Sequence, residues 1–459
     1  MFLTTTTAAA STASRVLLSR SIRTTTTTAS TSFNNNLSFK KHLFAHSLSR
    51  RASPTAAMTT TTTSNSNATP WDPQGRRIPA EWEPHQRVMM AWPTHWHTLT
   101  PKFQGDVARV AQAVSRFENV QMLVHPELLD QAREAVGKGG EGKGGVEFLE
   151  IPVNDLWARD FIPLFMTRPK DGGGHGGKQE RELVGVDFNF NGYGQRAPYE
   201  LSTRASERLL KHWNNTSRLV SQMVAEGGAI ESDGEGTLMM TESSIVNDNR
   251  NPNKTRADLE EMFKQELGVK KVIWLKGLKA YDSTDSHVDA LARFVAPGVV
   301  MISKPPPESE TQNLLHSHRF HLWREQYAQA IQVLSTTTDA SGRSIRIIDL
   351  PEPTPSKTRR IPVNEVSVFE DIGVEECEKD GSGGINTYMN FLMANGGIVM
   401  PEFGDKEADQ EAKRIVEEFF KEDQAIAVGG KREVVTVRID YLVKGGGGIH
   451  CSTHDVPVV

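Results

Sequence analysis

One arrangement recurs along this 459-residue chain: an amphipathic helical pattern that runs directly into a short apolar strand pattern. It occurs in GDVARVAQAVSRFENVQMLV (105–124), TRADLEEMFKQELGVKKVIWL (255–275) and EADQEAKRIVEEFFKEDQAIAV (407–428). Glycine-broken strand pairs, EGGAIESDGEGTLMMTE (226–242) and MANGGIVMPEF (393–403), lie between these segments. The pattern predicts an α/β fold built from repeated strand, strand, helix units.

Short polar stretches accompany these units along the chain. Apart from one longer interval they are spaced by roughly sixty residues, a period that indicates a circular array of like units. Such an array would bring the polar stretches together around its axis. The longer interval contains Pro-rich segments (304–323 and 351–360) that predict one enlarged unit, and two Gly-rich segments (137–145 and 171–177) predict surface loops. The polar stretches are WARD at 157, EGG at 226, HVD at 287, YMN at 388 and IHC at 449.

Charge and hydropathy exclude several classes of partner. The chain has 52 basic and 57 acidic residues, and its formal net charge of −5 argues against a nucleic acid or an anionic membrane as the main partner. No window supplies the roughly 18 uninterrupted apolar residues that cross a bilayer. Two cysteines are too few for a disulfide framework. Cys377 lies among carboxylates and is predicted to be an ordinary thiol, whereas Cys451 follows four glycines (445–448).

The first 71 residues have a different composition from the rest. From Met1 to Trp71 there is no Asp or Glu, and Arg and Lys are scattered among long Thr and Ser tracts. This composition, with the amphipathic SRVLLSRSIR (14–23), is typical of a mitochondrial presequence; a low-complexity tail without a targeting role is the alternative. Met58 offers an alternative start for a cytoplasmic form. We expect a disordered presequence over 1–71 and a folded domain over 72–459.

Three polar stretches and the late cysteine supply a set of reactive side chains. HVD places His287 and Asp289 two residues apart, and the apolar segment that follows predicts a strand, on which both side chains would share one face. WARD supplies the carboxylate of Asp160, and EGG begins with Glu226. Cys451 supplies a nucleophile.

These residue types suit a planar, cationic electrophile. A guanidinium stays protonated at physiological pH, and paired carboxylates such as Asp160 and Asp289 bind its fork of donors with charge-assisted hydrogen bonds. The thiolate of Cys451 would attack the central carbon, and His287 would protonate the departing ammonia. A water activated by His287 would then hydrolyse the covalent thiouronium intermediate to a ureido product. The glycines at 445–448 would let the cysteine loop approach the planar substrate.

Five longer blocks of the chain resemble, in order, the blocks of agmatine deiminases and bacterial-type peptidyl-arginine deiminases. The resemblance spans about residues 75–455 and implies the pentein fold, an α/β-propeller of five ββαβ-type units around a pseudo-fivefold axis with a central active site. It implies deimination without a metal or cofactor. By motif position it assigns the nucleophile to Cys451, the acid/base to His287, and the guanidinium carboxylates to Asp160 and Asp289. The blocks are NDLWARDFIPLF, EGGAIESDGEGTLMMTESSIVNDNRNP, YDSTDSHVDALARFVAPGVV, YMNFLMANGGIVMPEFGD and GGGGIHCSTHD.

The chain departs from the family pattern beside the reactive residues. TDS (284–286) stands where agmatine deiminases read TNG, and Gly448-Ile449-His450 precedes the cysteine where they read Asn-Ile-His. After the cysteine the chain has STHDVPVV in place of a Gln-rich stretch. These positions lie near the expected place of the non-guanidine end of a ligand.

Three further residues are candidates for substrate contact, each with an ordinary structural alternative. Trp157 either flanks the alkyl chain of the substrate or packs in the core. Glu226 either binds substrate or accepts structural hydrogen bonds, and Asp282, shortly before His287, has the same two interpretations.

The predicted substrate is agmatine, and the products are N-carbamoylputrescine and ammonia, a step in putrescine biosynthesis. Agmatine carries a cation at each end, which spare carboxylates in the motif blocks could accept. Free arginine would need a basic partner for its carboxylate, and Arg159 and Arg293 are the basic residues close to the motifs. Deimination of peptidyl arginine, which needs an open cleft, is the main alternative. The spare carboxylates are Glu226, Glu231, Asp233 and Asp282.

Two non-enzymatic interpretations stand beside these. A metal-binding module could use His450, Cys451 and His454 together with His95 and His97, although this spacing matches no common zinc pattern. A pentein scaffold without activity would not need to retain the cysteine, histidine and both aspartates. The sequence leaves the oligomeric state open, a homo-oligomer included.

Overall fold

The computed structural model of the chain describes residues 75–94, 100–137, 143–175, 178–313, 317–358, 386–421 and 430–459. These residues belong to one structural unit that spans Asn65–Val459. The predicted presequence, His95, His97 and Cys377 lie outside the described residues, as does the end of the third helix-to-strand segment (422–428).

The strands of the described residues are short, and most are followed by a turn or a helix. Their bounds are β1 (His85–Ala91), β2 (Val120–Leu123), β3 (Val146–Leu149), β4 (Leu164–His175), β5 (Lys178–Asp187), β6 (Ser217–Val220), β7 (Glu231–Ser232), β8 (Thr237–Thr241), β9 (Lys271–Leu275), β10 (Ala292–Ala296), β11 (Val299–Lys304), β12 (Arg346–Pro351), β13 (Leu392–Ala394), β14 (Gly397–Glu402), β15 (Glu433–Arg438) and β16 (Thr453–Pro457).

The helices fall into longer ones that cover the sheets and single turns of four residues. The longer ones are α1 (Thr100–Val114), α2 (Leu129–Val136), α5 (Ala205–Trp213), α7 (Arg256–Leu267), α9 (Ser317–Thr336) and α10 (Lys406–Lys421). The single turns are α3 (Ala158–Phe161), α4 (Gly192–Gln195), α6 (Glu242–Ile245) and α8 (Glu308–Thr311). Within the described ranges no helix has the length and apolar character needed to cross a membrane.

The described strands form five small sheets that share one connectivity. In four sheets, β4-β5-β6, β7-β8-β9, β10-β11-β12 and β13-β14-β15, the first two strands are antiparallel and the third is parallel to the second. A long helix connects the second strand to the third. In the remaining sheet β16 pairs antiparallel with β1, β2 follows in parallel after α1, and β3 extends the edge. The recurring unit predicted from the sequence is therefore present in every sheet.

The core lies between each sheet and its covering helix. Strands β8 and β10 are buried along their whole length, as expected for short apolar runs covered on both faces. Helix α10 buries Ala412, Val416 and Phe420, which are spaced four residues apart on one face. Most of the site residues described below lie in loops and turns at the ends of these buried elements.

Two predictions about local structure are wrong. His287 and Asp289 do not lie on a strand: a 3-10 helix spans Val288–Ala290, and β10 begins only at Ala292. The Gly-rich segment at 171–177 is not a loop up to residue 175, because β4 runs to His175 and pairs with β5. A ladder needs only backbone hydrogen bonds, so glycine can take part in it.

Candidate active site

Each polar stretch predicted from the sequence immediately precedes the first strand of one sheet. WARD forms α3 before β4, EGG forms a 3-10 turn before β7, and HVD forms the 3-10 helix before β10, while YMN and IHC precede β13 and β16. Hydrogen bonds and ion pairs connect the stretches in a closed circle. The contacts are Gly228 N to Asp160 Oδ1 (3.0 Å), Glu226 Oε2 to His287 Nε2 (3.4 Å), Asn390 Nδ2 to Asp289 Oδ2 (3.4 Å), Asn390 Nδ2 to Cys451 Sγ (3.2 Å) and Arg159 N to Cys451 O (3.1 Å).

His287 lies between two buried carboxylates. Its Nδ1 is 3.7 Å from Asp160 Oδ1, and its Nε2 is 3.4 Å from Glu226 Oε2. Burial favours the neutral imidazole, but the charges of Asp160 and Glu226 outweigh burial and raise the pKa of His287 to about 9. At neutral pH the ring is an imidazolium and can donate a proton.

Asp160 is fixed in orientation by two donors. Gly228 N donates to Oδ1 at 3.0 Å, and the hydroxyl of Tyr193 donates to Oδ2 at 2.9 Å. Burial raises the pKa of Asp160 to about 6, while the charge of His287 acts in the opposite direction. Asp160 is therefore ionised at neutral pH and retains lone pairs for a further donor.

Asp289 uses its two oxygens differently. Oδ2 accepts hydrogen bonds from His450 Nδ1 at 2.8 Å and Asn390 Nδ2 at 3.4 Å, and it lies 3.6 Å from Cys451 Sγ. Oδ1 is buried and has no hydrogen-bond partner among the described residues. Burial opposes ionisation, but the hydrogen bond and charge of His450 outweigh it and lower the pKa of Asp289. A buried carboxylate oxygen without a donor is a binding position for a cationic N–H group.

Cys451 is partly accessible beside these carboxylates. Its N–H donates to Asn390 Oδ1 at 3.2 Å, and Asn390 Nδ2 lies 3.2 Å from Sγ, so one amide holds both backbone and thiol. Burial, followed by the charges of Asp289 and Asp160, raises the pKa of the Cys451 thiol well above its usual value. The thiol therefore stays protonated until a cation enters the site.

The glycines before Cys451 pack closely against protein side chains, while the predicted approach of the cysteine loop to a planar substrate stays a prediction. A Cβ at Gly447 would lie 2.5 Å from the indole of Trp157, and one at Gly448 would lie 2.5 Å from Asn390 Oδ1. A Cβ at Gly445 would lie 2.8 Å from the ring of Phe103. The glycine run allows the nucleophile loop to pack tightly on Trp157 and Asn390.

Each of the three predicted substrate contacts is engaged by protein groups. Glu226 is fully buried, both of its oxygens accept from Arg250 Nε (2.8 and 2.9 Å), and Oε2 faces His287. Asp282 accepts hydrogen bonds from Thr284 and Ser286 and shapes the turn before His287. Trp157 is buried against the glycine run.

Several residues of the site were not predicted as part of a guanidinium site, although His450 was considered as a metal ligand. Asn390 and His450 belong to the polar stretches YMN and IHC, so their spacing was the signal that could have identified them. Tyr193 and Glu81 lie in no such stretch, and only the tertiary structure brings them to Asp160 and His450.

The metal-module interpretation has little support in the site. No group of three or more His, Cys, Asp or Glu side chains arranged to hold a metal ion occurs in the described ranges. Both ring nitrogens of His450 contact carboxylates, Asp289 at 2.8 Å and Glu81 at 2.7 Å, and are not open to a metal.

Comparison with known proteins shows the family. Residues 77–457 match the family model described as Porphyromonas-type peptidyl-arginine deiminase. The chain belongs to this family. It is 33% identical over 394 residues to the agmatine deiminase of Medicago truncatula, a match that covers 84% of this chain and 97% of the relative. It is 30% identical to an agmatine deiminase of Pseudomonas aeruginosa, covering 86% and 98%.

A solved structure of an agmatine deiminase has the same fold. The agmatine deiminase of Enterococcus faecalis is 28% identical to this chain and superimposes with a TM-score of 0.67, covering 83% of this chain and 96% of that one. The family resemblance inferred from the five sequence blocks is confirmed, and so is the mixed α/β fold.

Proposed function

We propose that this protein is an agmatine deiminase that hydrolyses the guanidinium of agmatine to N-carbamoylputrescine and ammonia, a step in putrescine biosynthesis. The observation that carries the proposal is the pair of buried carboxylates, Asp160 and Asp289, beside the Cys451 thiol, with Asp289 Oδ1 lacking a donor among the described residues. A guanidinium supplies the missing N–H donors and the missing positive charge. The family and the names of the relatives support the same chemistry.

The reaction uses the site residues in sequence. The guanidinium donates to Asp160 and Asp289, and its charge favours the thiolate of Cys451, whose proton leaves to solvent. The sulfur attacks the guanidinium carbon, and His287 protonates one amino group, which departs as ammonia. Neutral His287 then takes a proton from water as the oxygen attacks the thiouronium carbon. The C–S bond breaks, the cysteine leaves as thiolate, and the hydroxyl proton of the adduct leaves to solvent, which gives the neutral ureido product.

The second charge of agmatine needs a different partner from those predicted. Glu226 and Glu231 are ion-paired with Arg250 and Arg293, and Asp233 accepts hydrogen bonds from Thr237. Each predicted spare carboxylate, Asp282 included, is therefore already engaged by the protein.

Asp155 is a better candidate for the distal ammonium. It is buried, it forms no ion pair with any described residue, and its one hydrogen bond comes from Leu156 N at 2.7 Å. Burial and the charge of Asp160 raise the pKa of Asp155 to about 7. We expect Asp155→Asn to raise KM for agmatine at least about tenfold and to change KM for butylguanidine, which lacks the ammonium, much less.

Free arginine and peptidyl arginine fit the site less well. Arg159 and Arg293, the basic residues near the motifs, are buried and ion-paired with protein carboxylates, so neither can bind an α-carboxylate. Asp160, His287 and Asp289 are each at most 6% exposed, which favours a small ligand over a peptide.

The substrate assignment is tested by measuring ureido product formation side by side on agmatine, free arginine and a peptidyl arginine. We expect agmatine to have the highest kcat/KM, and a kcat/KM for peptidyl arginine about tenfold or more above agmatine would overturn the assignment. EDTA should leave the rate unchanged, whereas loss of activity restored by a divalent metal would revive the metal-site interpretation.

Covalent catalysis is tested by Cys451→Ala, with Cys377→Ala as the matched control. The first change removes the nucleophile, so we expect no measurable turnover and a thermal transition close to that of the wild type. The control should keep wild-type kcat. Appreciable turnover by the Cys451 variant would exclude this residue as the nucleophile.

We also infer that the five sheets surround a pseudo-fivefold axis with the site at its centre. The closed circle of contacts among the polar stretches and their common position before the first strand of a sheet support this arrangement. We further propose that 72–459 is the catalytic domain and that 1–71 is a mitochondrial presequence. A fluorescent fusion of 1–71 that stays cytoplasmic would contradict the targeting role.

A further inference from the structure

Behind Asp289, away from Cys451, lies a second buried acid that no sequence pattern indicated. Glu81 Oε2 is 2.7 Å from His450 Nε2, and the other ring nitrogen, Nδ1, is 2.8 Å from Asp289 Oδ2. The His450 side chain is 2% exposed, Asp289 1% and Glu81 9%. One imidazole therefore bridges two carboxylates in an environment that excludes water.

The surroundings of Glu81 keep it ionised. Arg159 and Arg293 form ion pairs with it at 3.1 and 2.8 Å, and Met393 N donates to Oε1 at 2.8 Å. Burial opposes ionisation, but the charges of Arg293 and His450 outweigh it and hold the pKa of Glu81 well below its usual value. Because Asp289 is also ionised, both nitrogens of His450 face acceptors and must donate, which requires the imidazolium form.

The bridge has a direct effect on the substrate carboxylate. His450 donates to Oδ2 of Asp289, and Oδ1 is the oxygen for which the described part of the chain offers no donor. His450 also precedes Cys451 in the chain, and its N–H donates to Asn390 O at 3.0 Å. The same residue thus fixes the carboxylate and the start of the nucleophile loop.

We propose that Glu81 and His450 form a buried carboxylate–imidazolium pair that positions Asp289 and Cys451 for the guanidinium. The proposal rests on the proposed function for its kinetic readout alone. Glu81 and His450 do not touch substrate; both act through Asp289. The charged and titratable groups that face His450 from the surrounding elements are Asp289, Glu81, Arg159, Arg293, Glu231, His454 and Cys451.

Kinetics of Glu81→Gln test the pair against a matched control. The amide keeps the size of the side chain but removes the charged acceptor of His450 Nε2, so the imidazolium form is no longer required and Asp289 can lose its donor. We expect kcat/KM at pH 7 to fall at least about tenfold and the alkaline limb of the kcat profile to move down by about one pH unit.

The control is Glu118→Gln. Glu118 is a buried carboxylate whose Oε1 lies 3.3 Å from Nδ1 of another histidine, His85, so the change removes the same kind of contact elsewhere in the protein. It should stay within about threefold of wild type, with an unchanged pH profile. His450→Gln should cost about 100-fold in kcat/KM, with KM raised, because Asp289 loses its main anchor. If His450→Gln does not fold, Glu81→Gln and the wild-type spectra below decide.

A spectroscopic measurement separates this proposal from the substrate assignment. The measurement is the NMR spectrum of protein with ¹⁵N-labelled histidine. The His450 signals are assigned by their loss in His450→Gln or by their change in Glu81→Gln. In the wild type we expect His450 to show two protonated ring nitrogens at pH 8. His450 should show only one protonated ring nitrogen in Glu81→Gln, and its signals in Glu118→Gln should match those of the wild type. The spectrum needs no substrate. Wild-type protein that is inactive on agmatine would therefore contradict the proposed function but would leave the proposal for Glu81 and His450 unaffected. A neutral His450 in the wild type would overturn the proposal. So would a Glu81→Gln variant whose spectra and pH profile match those of the wild type.

Discussion

The ionisation of Asp160 and His287 sets the pH range of the site. Burial raises the pKa of Asp160 to about 6, and its carboxylate is the active form, so activity is lost as pH falls through 6. Burial lowers the pKa of His287, but nearby carboxylates raise it to about 9. Its imidazolium is the active form, so activity is lost as pH rises through 9. Because bound agmatine already favours the Cys451 thiolate, we expect kcat at saturating agmatine to be bell-shaped, with Asp160 giving the acid limb and His287 the alkaline limb, and a flat profile between about pH 5 and 10 would contradict the roles assigned to both residues.

Gly228 lies where three reactive side chains meet. A Cβ at this position would be 2.7 Å from His287 Nδ1, 3.0 Å from Asp160 Oδ1 and 3.1 Å from Asp289 Oδ2. We expect Gly228→Ala to lower kcat/KM by at least about 100-fold, because it displaces all three groups. Gly145→Ala, with no atom within 4 Å of its Cβ and, like Gly228, no positive φ, is the control for adding a methyl group to a glycine. If Gly228→Ala has near wild-type kinetics, His287, Asp160 and Asp289 can move apart without loss of activity, and the expectation is wrong.

The four central residues could be predicted because their chemistry is readable from residue type. Cys451, His287, Asp160 and Asp289 are brought together as predicted, although their catalytic roles remain predictions. Glu81 could not be predicted, because its contact with His450 joins residues 369 positions apart. A carboxylate in an unremarkable N-terminal segment carries no local sign of such a partner.

At the scale of elements, the turn before His287 shows how a departure from the family pattern is accommodated. Asp285 and Ser286 have φ of 62° and 65°, the left-handed region in which Asn and Gly, the residues of the family pattern, are most easily placed. Asp285 is held there by Arg196 and Arg250, both at 2.9 Å. Ion pairs thus stabilise a backbone conformation that the residue types alone disfavour.

Two substitutions at Ser286 measure the backbone strain. Both Ser286→Ala and Ser286→Gly remove the hydrogen bond from Oγ to Leu278 O, but only glycine relieves the left-handed conformation. We expect the glycine variant to be more stable than the alanine variant by about 1 kcal/mol in the free energy of unfolding. Equal thermal transitions in the two variants would mean that the turn relaxes in alanine.

The boundaries of elements were less predictable than their types. Long periodic segments contain most or all of α1, α7 and α10, because amphipathic spacing is a strong local signal, although α1 begins five residues before its segment (105–124). The HVD segment was misassigned because the apolar run after it marks the strand but does not show where the strand begins. Its 3-10 helix depends on contacts with other polar stretches, which local sequence does not encode.

At the scale of the whole molecule, buried histidines couple stability to pH. Burial lowers the pKa of His85, but the hydrogen bond and charge of Glu118 outweigh it and raise that pKa to about 9 from 6.5. A raised folded-state pKa gives stability that is complete below pH 6.5 and lost as pH rises through 9. We expect the drop in Tm between pH 6 and pH 9 to be smaller in His85→Gln than in the wild type. An equal drop in Tm in the two proteins would show that His85 does not contribute to the pH dependence of stability.

The pairing of β16 with β1 also determines when the protein becomes active during its synthesis. β16 follows every other described strand along the chain, yet it hydrogen-bonds to the first, and Cys451 lies just before it. Every other described strand must therefore be synthesised before the nucleophile can reach its partners. A chain cut before β16 and its preceding turn keeps Asp160, His287 and Asp289 but lacks Cys451 and His450, so it has neither the proposed nucleophile nor the donor that orients Asp289.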